Sequence, residues 1–346
     1  MTTQPRLPRA VAPQEPVPQL QRAGMLDQVE KRLRGLLNDE HRRWRTADAR
    51  GAGVVESLAE LVAVGADRIR PVILLTGYLA AGGDAEGEAG GEAGGDAGGE
   101  VGGDAGGGVG GAAAVEAAAA LELLDTCTLI RSDVRDNAAL RRGIPTLHVS
   151  RAAEHERNGW AGDARRFGES TATLAGDLAL SLADRLAARL PAPAWQIWDE
   201  MRVERVIGTY AHEAMAAEYL DDPWPGRCIS GCDRGCTAGW YALRHPLRLG
   251  AALAGRPDLD TAYDAYARSL HAAWRLRGFL DGGPEYDWDA ELLREILLER
   301  EERGIAERLI RELVDRASRT AAAARLTPGW CEELTAFAVR MAAERG

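Results

Sequence analysis

Apolar side chains recur with the spacing of an amphipathic helix from Met25 onward. Four of them form one stripe: Leu26, Val29, Leu33 and Leu36. Residues three or four apart share one face of an α-helix, so the stripe predicts a helix that packs on a core. Similar patterns predict further helices along the chain, at 54–64, 71–81, 112–131, 170–190, 195–220, 228–254, 259–280, 289–301, 304–324 and 328–344.

The chain shows neither the alternation of β-strands nor the rhythm of βαβ units. Its 346 residues suffice for one large core or two small ones. We therefore predict an all-α helical bundle, with residues 25–346 as a single domain.

Two segments interrupt the helical pattern. Residues 1–24 contain five prolines, which predict a disordered or polyproline-like tail: Pro5, Pro8, Pro13, Pro16 and Pro18. Such a tail is either inert or a docking segment for a partner. Residues 82–111 form a repeat of Gly and acidic residues. The repeat has too few apolar groups to offset its ordering entropy, so it predicts a flexible loop inserted between two helices.

Charge and hydropathy exclude some classes of protein. The net charge is −11, and seven acids and no bases lie between Asp84 and Asp104. This balance argues against nucleic acid as a partner. The chain has no apolar run long enough for a membrane span. Its Pro-rich beginning is not a signal peptide, so the predicted location is the cytoplasm.

A segment rich in charged and polar residues of possible function lies between residues 117 and 148, which read AAAALELLDTCTLIRSDVRDNAALRRGIPTLH. Residues 65–71 read GADRIRP, and residues 159–170 read GWAGDARRFGES. Together they resemble the trans-isoprenyl diphosphate synthases, whose corresponding segments read roughly ELLHTASLIHDDVMDxxxLRRGxPTxH and GGKRLRP. The later segment and the LAGD at 174–177 look like the actinobacterial geranylgeranyl diphosphate synthase branch. The resemblance implies an isoprenoid-synthase-type bundle around a central apolar cavity.

The resemblance also implies a chemistry. In that family Mg²⁺ ions, held by two aspartate-rich motifs, neutralise the departing diphosphate of a prenyl substrate, while Arg and Lys side chains grip its oxygens. It assigns Asp133 and Asp136 to the metal, and it assigns Arg68, Arg141 and Arg142 to diphosphate. The spacing of the two aspartates places them near one helix face. There they either share a metal ion or simply cap and solvate the helix end.

Several positions depart from the family pattern. The first motif keeps only two of its three carboxylates, because Ser132 replaces one. The second motif aligns with residues 274–282 and lacks both leading aspartates. Asp67 stands at the lysine of GGKRLRP, and Asp125 stands at the histidine of ELLHT. Anions at these positions repel a diphosphate, so we expect weak Mg²⁺ binding and a poor site for isopentenyl diphosphate.

Five residues are cavity-lining candidates by the same resemblance: Cys127, Thr128, Glu213, Cys236 and Trp274. Cys127 and Thr128 stand before the first motif, where small side chains imply room for a long prenyl chain. Glu213 and Cys236 stand where the family has the glutamine of a GQ pair and the lysine of a KT pair. The ring of Trp274 could stabilise a carbocation through its π face.

Cys228, Cys232 and Cys236 recur every four residues, so a straight helix would align them on one face. Their end-to-end rise of about 12 Å would prevent them from sharing one metal ion. The two intervening glycines weaken such a helix by about 1 kcal/mol each. We interpret the cysteines first as small packing residues. The alternatives are a subunit contact or redox role, and a Zn²⁺ or Fe–S site, which we do not expect.

Three functions remain under consideration. The leading hypothesis is a non-elongating relative that binds a prenyl diphosphate or regulates an active synthase, as a homodimer or a heterodimer. The second is a diverged Mg²⁺-dependent enzyme that ionises an allylic diphosphate, like a terpene cyclase or prenyltransferase. The third is an ordinary chain-elongating synthase. Losing one charged ligand costs about 3 kcal/mol of transition-state stabilisation, and several are altered, which favours the first.

Overall fold

The computed structural model describes residues 17–64, 68–85, 107–141, 143–218, 243–281 and 300–343. Within these ranges the chain is helical apart from a hairpin, one 3₁₀ turn at Pro257–Leu259 and short connections, which confirms the predicted all-α class. The helices are α1 (Val17–Ala47), α2 (Ala49–Val64), α3 (Ile69–Ala80), α4 (Gly107–Arg135), α5 (Leu147–Arg157), α6 (Ala164–Ala187), α7 (Ala192–Glu218), α8 (His245–Leu253), α9 (Asp260–Asp281), α10 (Arg300–Ala323) and α11 (Trp330–Ala343).

Helix α4 contacts α1, α3 and α6 and forms the centre of the core. Five of its buried side chains are alanines, and Ala117, Ala118, Ala119 and Ala120 are fully buried. Alanine has the highest helix propensity, and its small side chain lets neighbouring helices approach from several sides. The same helix carries the aspartate-rich segment at its carboxyl end, so the core fixes the position of that segment.

A close helix contact joins α3 to α8. A Cβ atom added to Gly250 would lie 2.5 Å from the carbonyl oxygen of Leu74, so only glycine fits at this crossing. The hydroxyl of Tyr263 on α9 donates to the carbonyl oxygen of Gly77 at 2.8 Å. Three helices are thereby held together around one point.

The first helix begins earlier than the sequence pattern indicated. Residues 17–24 were predicted as part of the Pro-rich tail, but they form the start of α1. Pro18 is compatible with this because the first helical turn needs no backbone N–H from proline. The side-chain amide of Gln19 also donates to Glu333 of α11 at 2.8 Å, which anchors the first turn of α1 to α11. Residues 1–16 lie outside the described part.

Other boundaries differ by a few residues. Helix α4 begins at Gly107, inside the segment 82–111 that was predicted as loop. Helix α5 was not predicted, because its buried face carries His148 and His155 rather than an apolar stripe. The predictions for 228–242 and 289–299 lie outside the described residues. Among the helices that are described, none is long and apolar enough to cross a membrane.

Strands β1 (Leu140–Arg141) and β2 (Ile144–Pro145) pair antiparallel just after α4. Gly143 adopts a φ of 78°, the left-handed region that favours glycine. The side-chain hydroxyl of Thr146 donates to the carbonyl oxygen of Ala138 at 2.7 Å, which closes the base of the turn. The hairpin thereby brings Arg141 back toward the carboxyl end of α4.

Candidate active-site cavity

A cavity of about 650 Å³ lies between α2, α3, α4, the β1–β2 hairpin and α5. Helix α4 supplies five residues to the cavity wall: Glu122, Asp125, Thr126, Leu129 and Asp133. Most of them are three or four positions apart, so they share one face of the helix. The apolar remainder of the wall comes from the other elements: Leu61, Val64, Ile69, Ile144, Pro145 and Leu147. The cavity therefore combines an apolar wall with a row of charged groups.

Arg68 lies deep at one side of the cavity, with a side chain only 10% exposed. Its Nε donates to Glu30 Oε1 at 2.6 Å, its Nη2 donates to the carbonyl oxygen of Val62 at 2.7 Å, and its Nη1 contacts Glu122. Burial raises the pKa of Glu122 above its ordinary value, although the charge of Arg68 opposes the rise. Arg68 thus has an acceptor at all three nitrogens before any ligand arrives.

Arg70 on α3 forms an ion pair with Asp125 on α4. Both residues line the cavity, and both side chains are partly accessible to solvent. The position that the family resemblance assigns to a histidine donor therefore carries a carboxylate that neutralises a neighbouring arginine.

Arg141 holds the aspartate at the carboxyl end of α4. Its Nε and Nη2 donate to Oδ1 of Asp133 at 2.7 Å and 2.5 Å. The Asp133 side chain is 8% exposed, whereas that of Arg141 is 39% exposed. Asp136 lies past the end of the helix, does not line the cavity and is paired with Arg135 at 2.7 Å.

Arg151 connects α5 to α2 at the opposite side of the cavity. Its Nη2 donates to the carbonyl oxygen of Gly53 at 2.9 Å and to Ser57 Oγ at 2.5 Å, and its Nη1 donates to Glu154 at 2.6 Å. Arg151 therefore fixes the spacing of two walls and has little left to offer a ligand.

The charges of the cavity wall balance in number. The acids are Glu60, Glu122, Asp125, Asp133 and Glu154, and the arginines are Arg68, Arg70, Arg141, Arg151 and Arg157. Four of the five arginines are bound by one of these acids. A wall of paired charges attracts a polyanion less than an excess of free cations would.

The comparisons with known proteins identify the family. The family model described as polyprenyl synthetase matches residues 53–277, which is more than half of the chain. The chain belongs to the polyprenyl synthetase family. This confirms the resemblance to trans-isoprenyl diphosphate synthases that the sequence motifs indicated.

Characterised relatives match shorter stretches. The geranylgeranyl diphosphate synthase of Saccharolobus solfataricus is 31% identical over 122 residues, which cover 35% of this chain and 24% of the relative. The nonaprenyl diphosphate synthase of Mycobacterium tuberculosis is 31% identical over 110 residues, or 32% of this chain and 28% of the relative. The matches therefore span about a quarter of each of these relatives.

Solved structures of this fold match over nearly the whole chain. The geranylgeranyl pyrophosphate synthase of Corynebacterium glutamicum, complexed with isoprenyl diphosphate and magnesium, has a TM-score of 0.70 at 22% identity. The match covers 95% of this chain and 98% of that one. This similarity establishes the fold of the isoprenoid synthases for this chain.

Polyprenyl synthetases generally use Mg²⁺, and a site for it needs a suitable set of ligands. Mg²⁺ prefers an octahedral set of oxygen ligands. The described residues contain no group of three His, Cys, Asp or Glu side chains that could hold a metal ion. Asp133 is bound by Arg141, and Asp136 lies outside the cavity. The described donor set does not fit Mg²⁺, and the predicted pair of ligands is not brought together at this wall.

Three other predicted site residues do not line this cavity. Cys127 is fully buried in the main core, where burial raises its thiol pKa, and Thr128 donates to the carbonyl oxygen of Leu124 at 2.8 Å. Neither lines this cavity. Trp274 on α9 stacks on His271, with ring centroids 6.1 Å apart, and also lies away from it.

Some predicted residues cannot be placed. They are Asp67, Arg142, Cys228, Cys232 and Cys236, together with the side chain of Glu213, and all lie outside the described part of the chain. Their proposed roles stay predictions.

Sequence reasoning missed three charged residues of the wall. Glu122 could have been found, since it precedes Asp125 by three residues on a helix that was predicted. Arg70 lies within the GADRIRP segment, but the pattern gave no indication of its partner. Arg151 had no usable signal, because α5 itself was not predicted.

Proposed function

We propose that this member of the polyprenyl synthetase family binds a single prenyl diphosphate and does not elongate it, acting as a partner or regulatory subunit of isoprenoid metabolism. The observation that carries the proposal is the ion pair between Arg70 and Asp125 in the cavity wall. Chain elongation needs two diphosphates in one site, and each needs cations that are free to bind it. Here Asp125 neutralises the charge of Arg70, which weakens the attraction of this part of the cavity for a second diphosphate.

Arg68 supports the same proposal. It is buried, and its three nitrogens already have acceptors in Glu30, Glu122 and Val62. Moving it toward a ligand would leave Glu122 as an unpaired buried carboxylate, which is strongly unfavourable. Arg141 is the more exposed guanidinium and lies against the apolar wall. It is therefore our candidate for the one diphosphate that binds.

The decisive experiment is an elongation assay on the purified protein. The protein is incubated with Mg²⁺, farnesyl or geranylgeranyl diphosphate and labelled isopentenyl diphosphate, beside a characterised synthase as a positive control. We expect no elongated product from the protein alone. Elongation at a rate similar to the control would establish an ordinary synthase and end the proposal. Release of diphosphate without elongation would establish the diverged allylic enzyme instead.

A surface on α7 supports the partner role. Val203, Val206, Ile207 and Tyr210 recur at helical spacing and are between 57% and 73% exposed. Contiguous exposed apolar side chains mark interaction surfaces more often than single exposed apolar side chains do. We propose that this stripe binds a second copy of the chain, because a stripe along one helix can pack against the same stripe of a copy.

Ile207→Asp tests the stripe, and Val339→Asp on α11, where Val339 is 53% exposed, is the matched control. We expect the wild type and Val339→Asp to sediment as dimers in sedimentation velocity, and Ile207→Asp to sediment as a monomer. A wild-type monomer that still fails to associate with an added synthase would contradict the partner role.

A further inference from the structure

The ion pair between Asp133 and Arg141 places a permanent cation at the carboxylate that the family pattern assigns to a metal ion. We propose that Arg141 substitutes for the divalent metal at this wall, so that the cavity binds a diphosphate head group without Mg²⁺. The inference rests on the proposed function, because it concerns how the single prenyl diphosphate is held. It departs from the metal dependence that is general in the family.

The geometry leaves Arg141 able to bind an anion while it stays on Asp133. A guanidinium carries five N–H groups, and the two contacts to Oδ1 need only two of them. Asp133 is almost buried, whereas Arg141 lines the cavity and is 39% exposed. The carboxylate therefore orients the guanidinium, and the remaining donors suit the oxygens of a phosphate group.

The same wall disfavours a divalent metal ion. A metal at Asp133 would have to bind Oδ2 or displace Arg141 from Oδ1, and in either place it would lie next to that guanidinium. Asp136, the other carboxylate of the segment, is 51% exposed and is held by Arg135. Within the described ranges no third carboxylate joins Asp133 to complete a metal site. A diphosphate consequently gains little from Mg²⁺ here.

The test is a calorimetric titration of the full chain with inorganic pyrophosphate and with farnesyl diphosphate, in EDTA and in Mg²⁺. We expect Kd values for farnesyl diphosphate that agree within about threefold between the two media. Binding that is at least about tenfold tighter in Mg²⁺ would overturn the inference.

The two proposals fail in different ways. Metal-dependent binding without elongation overturns only the metal-free site and leaves the proposed function standing. Absence of binding in both media overturns the metal-free site and also the binding clause of the proposed function. Elongation activity ends the proposed function whatever the metal dependence of binding.

Variants separate a metal ligand from an orienting carboxylate. Asp133→Asn keeps the shape of the side chain and releases Arg141 from its charge, so we expect unchanged or tighter pyrophosphate binding in EDTA. A metal-binding role predicts the opposite, a loss of binding in Mg²⁺. Asp136→Asn should leave pyrophosphate binding unchanged. If the two aspartates share a metal ion, this variant instead loses affinity in Mg²⁺, as Asp133→Asn does.

Arg141→Gln completes the set. We expect it to weaken binding by at least about tenfold, because it removes the charged donor itself. The control is Arg50→Gln, which removes an exposed guanidinium that is paired with Asp48 and does not line the cavity. If Arg141→Gln is poorly folded by circular dichroism, Asp133→Asn alone decides. Equal binding by wild type and a folded Arg141→Gln would contradict the assignment of the site to Arg141.

Discussion

The Nε2 atom of His245 lies 2.9 Å from Oε2 of Glu204, in a part of the interior where the histidine side chain is fully buried. Burial, together with the charges of Arg244 and Arg248, lowers the pKa of His245 to about 4. Glu200 and Asp260 oppose the shift but do not outweigh it. His245 is therefore neutral in the folded protein at neutral pH.

The first prediction concerns the pH dependence of folding stability. Unfolding restores the ordinary histidine pKa near 6.5, so the unfolded chain binds more protons than the folded one between that value and about 4. The contribution of His245 is complete above pH 6.5 and is lost as the pH falls through this window. We expect this loss to lower the free energy of unfolding by about 2 kcal/mol as the pH falls from 7 to 5.

Urea unfolding at several pH values measures this effect. The control is His245→Gln, an uncharged variant that keeps a polar side chain, and it should flatten this part of the profile even if its overall stability is lower. An unchanged profile in the variant would show that other groups cause the pH dependence.

A second prediction concerns the buried cluster around Arg68. Arg68→Met removes the cation from Glu122, whose side chain is only 8% exposed. Breaking a buried ion pair on one side leaves an uncompensated charge, so we expect a loss of about 3 kcal/mol in urea unfolding. The double variant Arg68→Met with Glu122→Leu should recover much of it. Arg50→Met, which breaks an exposed pair, should leave the free energy of unfolding nearly unchanged.

A third prediction concerns the pairing of Arg70. Asp125→Asn removes the carboxylate that neutralises Arg70 and should strengthen binding of isopentenyl diphosphate by about tenfold, since one charged contact is worth about 1.4 kcal/mol. Glu56→Gln is the matched control, because Glu56 is an exposed acid of α2 that does not line the cavity. Calorimetry measures both, and equal affinities would show that Asp125 does not limit access to Arg70.

A fourth prediction concerns the crossing of α3 and α8. Gly250→Ala would place a methyl group 2.5 Å from the backbone of α3, so the two helices must separate. We expect thermal unfolding to show a loss of about 2 kcal/mol, typical of an overpacked core. Gly35→Ala in α1 has nothing within 4 Å of the added carbon. It should instead stabilise by about 0.5–1 kcal/mol, since alanine favours the helix.

Most helices were predictable because their apolar stripes are strong. Leu26, Val29 and Leu33 fixed the face of α1, and the Ala-rich run before Asp125 fixed α4. Helix α5 was not predicted because its buried positions include two histidines, which give no hydrophobic periodicity. The beginning of α1 was mistaken because prolines that disfavour a helix interior are acceptable in its first turn.

The site was predictable residue by residue only in part. The motifs singled out Asp133, Arg68, Arg141 and Asp125, and all four line one cavity. The motifs also paired Asp133 with Asp136, although helix α4 ends between them at Arg135 and Asp136 lies outside the cavity wall. A spacing of three residues indicates a shared face only while the helix continues.

The amino-acid sequence by itself determined the family, the helical class and the identity of the acids that replaced basic or donor residues. These follow from local patterns and from the order of motifs along the chain. The tertiary structure alone decided which charge meets which. Asp125 meets Arg70 from another helix, and Asp133 meets Arg141 because a hairpin returns to the end of α4. Ion pairing depends on distances of a few ångströms across the fold, and linear spacing does not encode them.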